Sequence, residues 1–184
     1  AAANALGLGA DVTVIDLSLP RLRELEHRYD GALQTRASSR WEIAEQVATA
    51  DLVIGSVLIP GAAAPKLVTD AMVATMRPGA VLVDIAIDQG GCFEGSHPTT
   101  HDVPTFAVHE TLYYCVANMP GAVPETSTRA LTNATLPYLT ALADKGWEAA
   151  TAQDAALARG LNTRAGRVTN AGVAAAFGLE LEPV

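Results

Sequence analysis

The chain has 184 residues, of which 49% are hydrophobic and 17% are charged, and its formal net charge is −8. This composition is sufficient for a substantial buried core and excludes an intrinsically disordered tail. The acidic balance, without any basic cluster, argues against nucleic acid or an anionic membrane as a partner. The sequence contains no apolar run long enough to span a bilayer and no recognisable signal peptide.

Cysteine usage indicates the redox compartment. The two cysteines, Cys92 and Cys115, lack the spacing of metal ligands. Unpaired thiols of this kind are typical of a reducing environment. We therefore expect a cytoplasmic protein without a metal site.

The first nine residues have the character of the second half of a helix. They contain neither an N-cap residue nor an acidic first turn, which natural helix starts usually carry. We therefore expect the chain to be a fragment whose start lies inside a helix.

Short β-branched runs alternate with helical patterns over the first part of the chain. Strands are predicted at 11–16, 31–35, 51–55, 80–85 and 105–108. Helices are predicted at 20–29, 41–48 and, after a turn at Pro60–Gly61, 68–76. This alternation is typical of an α/β fold with a Rossmann-type doubly wound parallel sheet and helices on both faces.

The pattern changes after about residue 124. Long helical patterns cover 126–145 and 147–158, and a strand-like segment at 167–169 precedes an alanine-rich helix. We expect a sheet domain at 1–124 and a mainly helical part at 125–184 that packs away from the sheet.

The strand predicted at 80–85 leads directly to Asp88 and a pair of glycines, and a second apolar run at 112–120 contains Asn118. Ligands of open α/β sheets bind just outside the carboxyl ends of the strands. The two runs therefore predict a small-molecule site. Asp88 could equally cap the turn that follows it, and Asn118 could satisfy loop backbone groups.

Residues 9–16 have the form of the second half of a dinucleotide-binding signature, in which a tight turn and a strand end at an acid, here Asp16. Such a carboxylate accepts hydrogen bonds from the adenosine ribose. The glycine-rich phosphate turn belongs about twenty residues earlier, before the start of this chain. Alternatively, Asp16 could cap the helix that follows.

Several stretches together resemble the alanine dehydrogenase/transhydrogenase α-subunit family. The resemblance covers nearly the whole chain and is carried by residues 9–16, 51–55, 57–61, 64–68, 84–94, 98–100, 114–124 and 131–138. The Asp88-Gln89 pair favours the dehydrogenase over the transhydrogenase. Two positions depart from the family pattern: His97 stands where relatives usually carry arginine, and Ala63 replaces a lysine.

The resemblance implies a bound NAD and a role for each matching residue. Asp88 would be the catalytic carboxylate, and Asp16 would hold the adenosine ribose. The other implied cofactor contacts are Arg21 and Ser38 on the adenine side, Val57 and Leu58 along the next loop, Ile85, Ala86, Ile87 and Asp88 at the nicotinamide, and Val116, Ala117, Asn118 and Met119 on its other side.

The implied reaction is the reversible, NAD-dependent oxidative deamination of L-alanine to pyruvate and ammonia. The family places its substrate-binding residues in an N-terminal domain that this chain lacks, so we expect the fragment alone to be inactive. The part at 1–124 would be a truncated NAD-binding domain, and 125–184 would belong to the substrate domain. The full-length protein would be a homo-oligomer, a hexamer.

Two other interpretations remain open. The chain could be the NAD(H)-binding module of a proton-translocating transhydrogenase, or a non-catalytic nucleotide-binding domain.

The first strand of the usual Rossmann order would lie between the strand that ends at Asp16 and the strand that ends at Gly55. Without it, we expect either a gap or a non-native pairing at that place, and poor solubility of the fragment.

Overall fold

The structure, a computed structural model, describes residues 1–59 and 63–182. The turn predicted at Pro60–Gly61 lies outside these residues. The helices are α1 Ala2–Gly7, α2 Leu19–Arg28, α3 Arg40–Thr49, α4 Asp70–Val73, α5 Pro124–Gln153, α6 Ala155–Arg159 and α7 Ala171–Phe177. The strands are β1 Thr13–Asp16, β2 Gln34–Ala37, β3 Leu52–Gly55, β4 Val81–Asp84, β5 Thr105–Val108, β6 Thr111–Tyr114, β7 Thr163–Arg164 and β8 Arg167–Val168.

The parallel strands of the α/β fold form two separate sheets. β1 pairs with β2, and a four-stranded sheet has the order β3-β4-β6-β5. All pairs except β5–β6 are parallel in these two sheets. Within the described ranges β1 does not pair with β3, so the break expected between those two strands is present.

The sheet differs from the sequence prediction in the direction of β5, which runs antiparallel to β6 at the edge. Only two residues, His109 and Glu110, connect these strands. A connection this short can join only antiparallel neighbours, because a parallel crossover needs about a dozen residues or more.

Two predicted boundaries were wrong. The strand predicted at 31–35 forms at Gln34–Ala37, because the chain first turns after α2 with left-handed backbone at Asp30 and Gly31. The helix predicted at 68–76 is regular only over Asp70–Val73, where the Thr69 side chain caps it. Val68 is instead extended and forms a bridge with Phe93.

The hydrophobic core lies around the four-stranded sheet. Leu82 of β4 and Tyr113 of β6 are fully buried, and Ile43 and Val47 of α3 join the same cluster. Ile15 of β1 packs against this cluster from the other sheet. Leu22 of α2 is buried as well.

The C-terminal part is mainly helical, as predicted. α5 changes direction at Gly146, whose φ of 75° and ψ of 162° are not helical, so the break predicted between residues 145 and 147 is present. β7 and β8 form an antiparallel pair before α7. Among the described residues, no helix combines the length and apolar character needed to cross a membrane.

Candidate functional site

The ends of β3, β4 and β6 meet at one edge of the sheet. The register places Gly55 beside Asp84 and Val83 beside Tyr114. Because all three strands are parallel, the segments that follow them leave from the same edge. The predicted neighbourhood of the loops after residues 84 and 114 is therefore confirmed, whereas their roles remain predictions.

Asp88 lies in a short 3-10 helix, Ile87–Gln89, directly after β4. Gly90 ends this helix with a left-handed φ of 88°, which a residue with a Cβ adopts only at a cost. The Asp88 side chain is exposed and makes no hydrogen bond within the described part of the chain. Its carboxylate therefore does not cap the turn and is free to meet a ligand.

The segment that carries Asp88, residues 85–94, is called here the Asp88 loop. Asp84, fully buried at the end of β4, anchors it. One carboxylate oxygen of Asp84 accepts the backbone N–H of Ala86 at 3.0 Å. The other accepts the N–H groups of Cys92 at 2.9 Å and Phe93 at 3.2 Å, and the hydroxyl of Ser96 at 2.5 Å.

A second charged side chain, that of Lys66, reaches the same loop. Its ammonium donates to the backbone carbonyls of Gly90 at 2.6 Å, Gly91 at 2.9 Å and Phe93 at 3.1 Å. The segment around Lys66 also pairs with the loop through backbone hydrogen bonds, namely Ala64 to Gln89, Leu67 to Cys92 and Glu94 to Val68. The loop is thus held along most of its length.

Close packing leaves no room for side chains at two glycines, one beside the loop and one within it. A Cβ on Gly55 would lie 2.2 Å from the Cys92 sulfur, and a Cβ on Gly91 would lie 2.7 Å from Asp84 Oδ2. Burial, together with the nearby Asp84 carboxylate, raises the pKa of the Cys92 thiol from 9.0 to about 12. Cys92 is therefore a neutral packing residue rather than a nucleophile.

The loop after β6 is held by a segment upstream of it. Thr99 donates its backbone N–H to Cys115 at 2.9 Å and accepts that of Ala117 at 3.2 Å. Asn118 has a left-handed φ of 57°, and its backbone carbonyl lies 3.2 Å from His101 Nε2. The Asn118 side chain is exposed, so its amide can reach a ligand.

Asp16 ends β1 at the carboxyl edge of the two-stranded sheet. Its Oδ1 accepts the backbone N–H of Ser18 at 2.7 Å, and Ser18, not Asp16, caps α2 by accepting the N–H of Arg21. Oδ2 makes no hydrogen bond in residues 1–59 or 63–182 and can accept from a ribose hydroxyl. Ser38 lies beside it, since its N–H donates to the Asp16 carbonyl at 2.9 Å.

Arg21 points elsewhere: its guanidinium pairs with Glu24 at 2.5 Å on the exposed side of α2. His97, the departure from the family pattern, stacks on Phe106 with ring centroids 3.8 Å apart.

The predicted contact residues divide by exposure. Leu58, Ile85, Asp88 and Asn118 are exposed, Val57, Ala117 and Met119 are half-buried, and Ala86, Ile87 and Val116 are buried. The buried three belong to the core, so they can offer a ligand only their backbone. A carboxylate inside a buried apolar strand predicts a structural role for Asp84, and its hydrogen bonds confirm that role. Sequence reasoning missed the contacts of Lys66 with the loop.

Comparison with known proteins identifies the family. The family model for the alanine dehydrogenase/PNT C-terminal domain matches residues 1–171. Alanine dehydrogenase from Mycolicibacterium smegmatis is 63% identical over 95% of this chain and 47% of its own length. The Mycobacterium tuberculosis enzyme is 60% identical over 97% of this chain and 48% of its own length.

Solved structures give the same result. A structure of L-alanine dehydrogenase superposes with a TM-score of 0.82 at 47% identity, covering 96% of this chain and 49% of that one. A transhydrogenase from Sinorhizobium meliloti gives 0.59 at 30% identity, over 68% of this chain and 35% of its own. The chain spans about half the length of the curated relatives it matches. It belongs to the alanine dehydrogenase/PNT C-terminal domain family.

Proposed function

We propose that the chain supplies the NAD-binding half of an alanine dehydrogenase. The overall reaction is L-alanine, NAD⁺ and water to pyruvate, ammonium, NADH and a proton, and it is reversible. The observation that carries the proposal is the exposed Asp88 carboxylate, without a hydrogen bond to residues 1–59 or 63–182, on an anchored loop at the carboxyl edge of the sheet. The relatives named alanine dehydrogenase support the substrate.

The described residues fit a bound dinucleotide. Asp16 keeps one carboxylate oxygen for ribose hydroxyls, and its negative charge would repel the additional phosphate of NADP. Ser38 lies next to it on the adenine side. Val57, Leu58, the exposed Ile85 and the Asn118 amide would line the nicotinamide half. When bound, the nicotinamide accepts the hydride from the alanine α-carbon.

Asp88 has the chemistry that the remaining steps need. Loss of hydride from the α-carbon leaves a cationic imine, water adds to it, and ammonia departs. A carboxylate next to this carbon stabilises the positive charge, orients the water and takes its proton. The exposed position of Asp88 and its lack of a hydrogen bond to the described residues suit this role.

The test is a pair of assays on the full-length protein that contains this chain. We expect L-alanine to drive NADH formation and NADP to be a poor substitute for NAD. Hydride exchange between NADH and an NADP analogue without any amino acid would favour the transhydrogenase alternative. Nucleotide binding without either reaction would favour a non-catalytic binding domain.

We also propose the domain division and the assembly. Residues 1–124 would be the nucleotide-binding domain, and 125–184, which begins at the first turn of α5, would return to the substrate domain. Exposed leucines on α5, with Leu131 at 66% and Leu139 at 58% exposure, favour burial against a second copy of the protein or against the substrate domain. The assembly that we propose is a cytoplasmic homo-oligomer, a hexamer. Sedimentation of the full-length protein as a monomer would contradict the oligomer.

A further inference from the structure

The Asp88 loop contacts two side chains of opposite charge. Asp84 accepts the backbone N–H groups of Ala86, Cys92 and Phe93. Lys66 donates to the carbonyls of Gly90, Gly91 and Phe93. These contacts lie on both sides of Asp88 in the sequence, two residues before it and two to five residues after it.

The hydrogen-bonding capacity of each side chain matches the groups that it contacts. An ionised carboxylate only accepts hydrogen bonds, and every group that points at Asp84 is a donor. An ammonium has three protons to donate, and Lys66 has three carbonyl partners between 2.6 and 3.1 Å. Hydrogen bonds to charged groups are about twice as strong as neutral ones. The pair therefore restrains the backbone on both sides of Asp88.

We propose that Asp84 and Lys66 are positioning residues that fix the Asp88 loop and so place the Asp88 carboxylate for the reaction. This inference rests on the proposed function for the role of Asp88, but the restraint on the loop is independent of it. A displacement of about 1 Å at a reacting group can cost about a hundred-fold in rate. Restraint by side chains outside the loop is a direct means of preventing such a displacement.

Lys66 is the better residue for a test, because Asp84 is fully buried and its replacement would leave several N–H groups without a partner. Lys66 is exposed, so Lys66→Met keeps the apolar stem and removes only the ammonium. Lys145→Met is the matched control, because Lys145 is the other lysine of the chain and, among the described residues, bonds only Gln153.

The first measurement is amide hydrogen exchange of residues 85–94 in the cofactor-free full-length protein. We expect Lys66→Met to speed exchange in this loop by about ten-fold, since charge-assisted hydrogen bonds are lost. Lys145→Met should leave exchange there unchanged. Unchanged exchange in Lys66→Met would overturn the inference whether or not the protein oxidises alanine.

The second measurement is a double-mutant cycle on turnover at saturating NAD and alanine. We expect Lys66→Met to lower turnover about ten-fold alone but less than about two-fold in the Asp88→Asn background, because it acts through Asp88. Equal losses in both backgrounds, or no loss, would overturn the positioning role. If the unmodified protein shows no alanine-dependent NADH formation, the proposed function fails. The exchange experiment then decides by itself whether Lys66 restrains the Asp88 loop.

Discussion

The two acidic residues at strand ends, Asp16 and Asp88, are held in opposite ways. Around Asp16, the side-chain hydrogen bonds join residues two and three positions apart, from Ser18 to Asp16 and from Arg21 to Ser18. Around Asp88, the Lys66 side chain bonds the loop from 24 to 27 positions away. The Asp16 side chain is thus held by local contacts, whereas the Asp88 loop depends on a side chain distant in the sequence.

The apolar side chains near Asp16 and near Asp88 also differ in their exposure. Leu17, next to Asp16, is 85% exposed, whereas Leu82 and Tyr113 under the Asp88 loop are fully buried. A side chain held only by local contacts is adequate for binding a ligand, because a small displacement of its carboxylate changes the binding free energy little. A group that acts on a reacting carbon must be held within a fraction of an ångström. The difference predicts that changes at the two ends affect different kinetic quantities.

The largest effect is expected for Asp88→Asn in the full-length protein. The change preserves size and removes the charge that, in the proposed mechanism, stabilises the cationic imine, so turnover should fall about a hundred- to a thousand-fold. The affinity for NADH should barely change, because this charge acts mainly in the transition state. Steady-state kinetics and NADH titration measure the two quantities.

Asp144→Asn, on the exposed side of α5, is the matched control for Asp88→Asn. Deamination of alanine by Asp88→Asn at the rate of the unmodified protein would refute the mechanism.

A smaller effect on a different quantity is expected for Asp16→Ala. Loss of the proposed hydrogen bonds to the ribose should weaken NADH binding about ten-fold, equivalent to about 1.4 kcal/mol. Turnover at saturating cofactor should change little. Ser18→Ala is the control: it removes the cap of α2 and should cost about 1 kcal/mol of stability without weakening NADH binding. Equal NADH affinity in Asp16→Ala and the unmodified protein would contradict the ribose contact.

The contrast between the two ends also explains what the sequence could predict. β1, β3 and β4 were predictable because each is a short β-branched run, and Asp16 and Asp88 follow from where those runs end. The hydrogen-bond partners of Asp84 were not predictable. Asp84 accepts from Ser96 and from backbone N–H groups, and the positions of these donors depend on the conformation of a loop without regular structure. The contacts of Lys66 were not predictable either, because its partners are backbone carbonyls, which every residue has.

The buried Cys92 thiol within the Asp88 loop predicts a pH dependence of stability. The pKa of Cys92 rises from 9.0 in a solvent-exposed chain to about 12 in the fold. Between these values the unfolded chain loses the proton and the folded chain keeps it, so rising pH favours unfolding; below 9.0 the contribution is fully present. The full slope for this one proton is about 1.4 kcal/mol per pH unit. Denaturant titrations of Cys92→Ala should give a shallower slope above pH 9.0, and an unchanged slope would refute the assignment to Cys92.

The smallest effect is expected at Tyr113, which packs edge-on against Phe93 with ring centroids 5.9 Å apart. Its side chain is fully buried, and its hydroxyl has no hydrogen-bond partner in the described ranges. Burying such a group costs free energy, so Tyr113→Phe should leave the free energy of unfolding unchanged or raise it by about 1 kcal/mol. Tyr138→Phe, on the exposed face of α5, should stay within about 0.5 kcal/mol of the unmodified protein. Denaturant titration compares the three proteins. If Tyr113→Phe lowers the free energy of unfolding by more than about 1 kcal/mol, the hydroxyl must be hydrogen-bonded in the protein. The core under the Asp88 loop would then contain a polar contact in addition to its apolar ones.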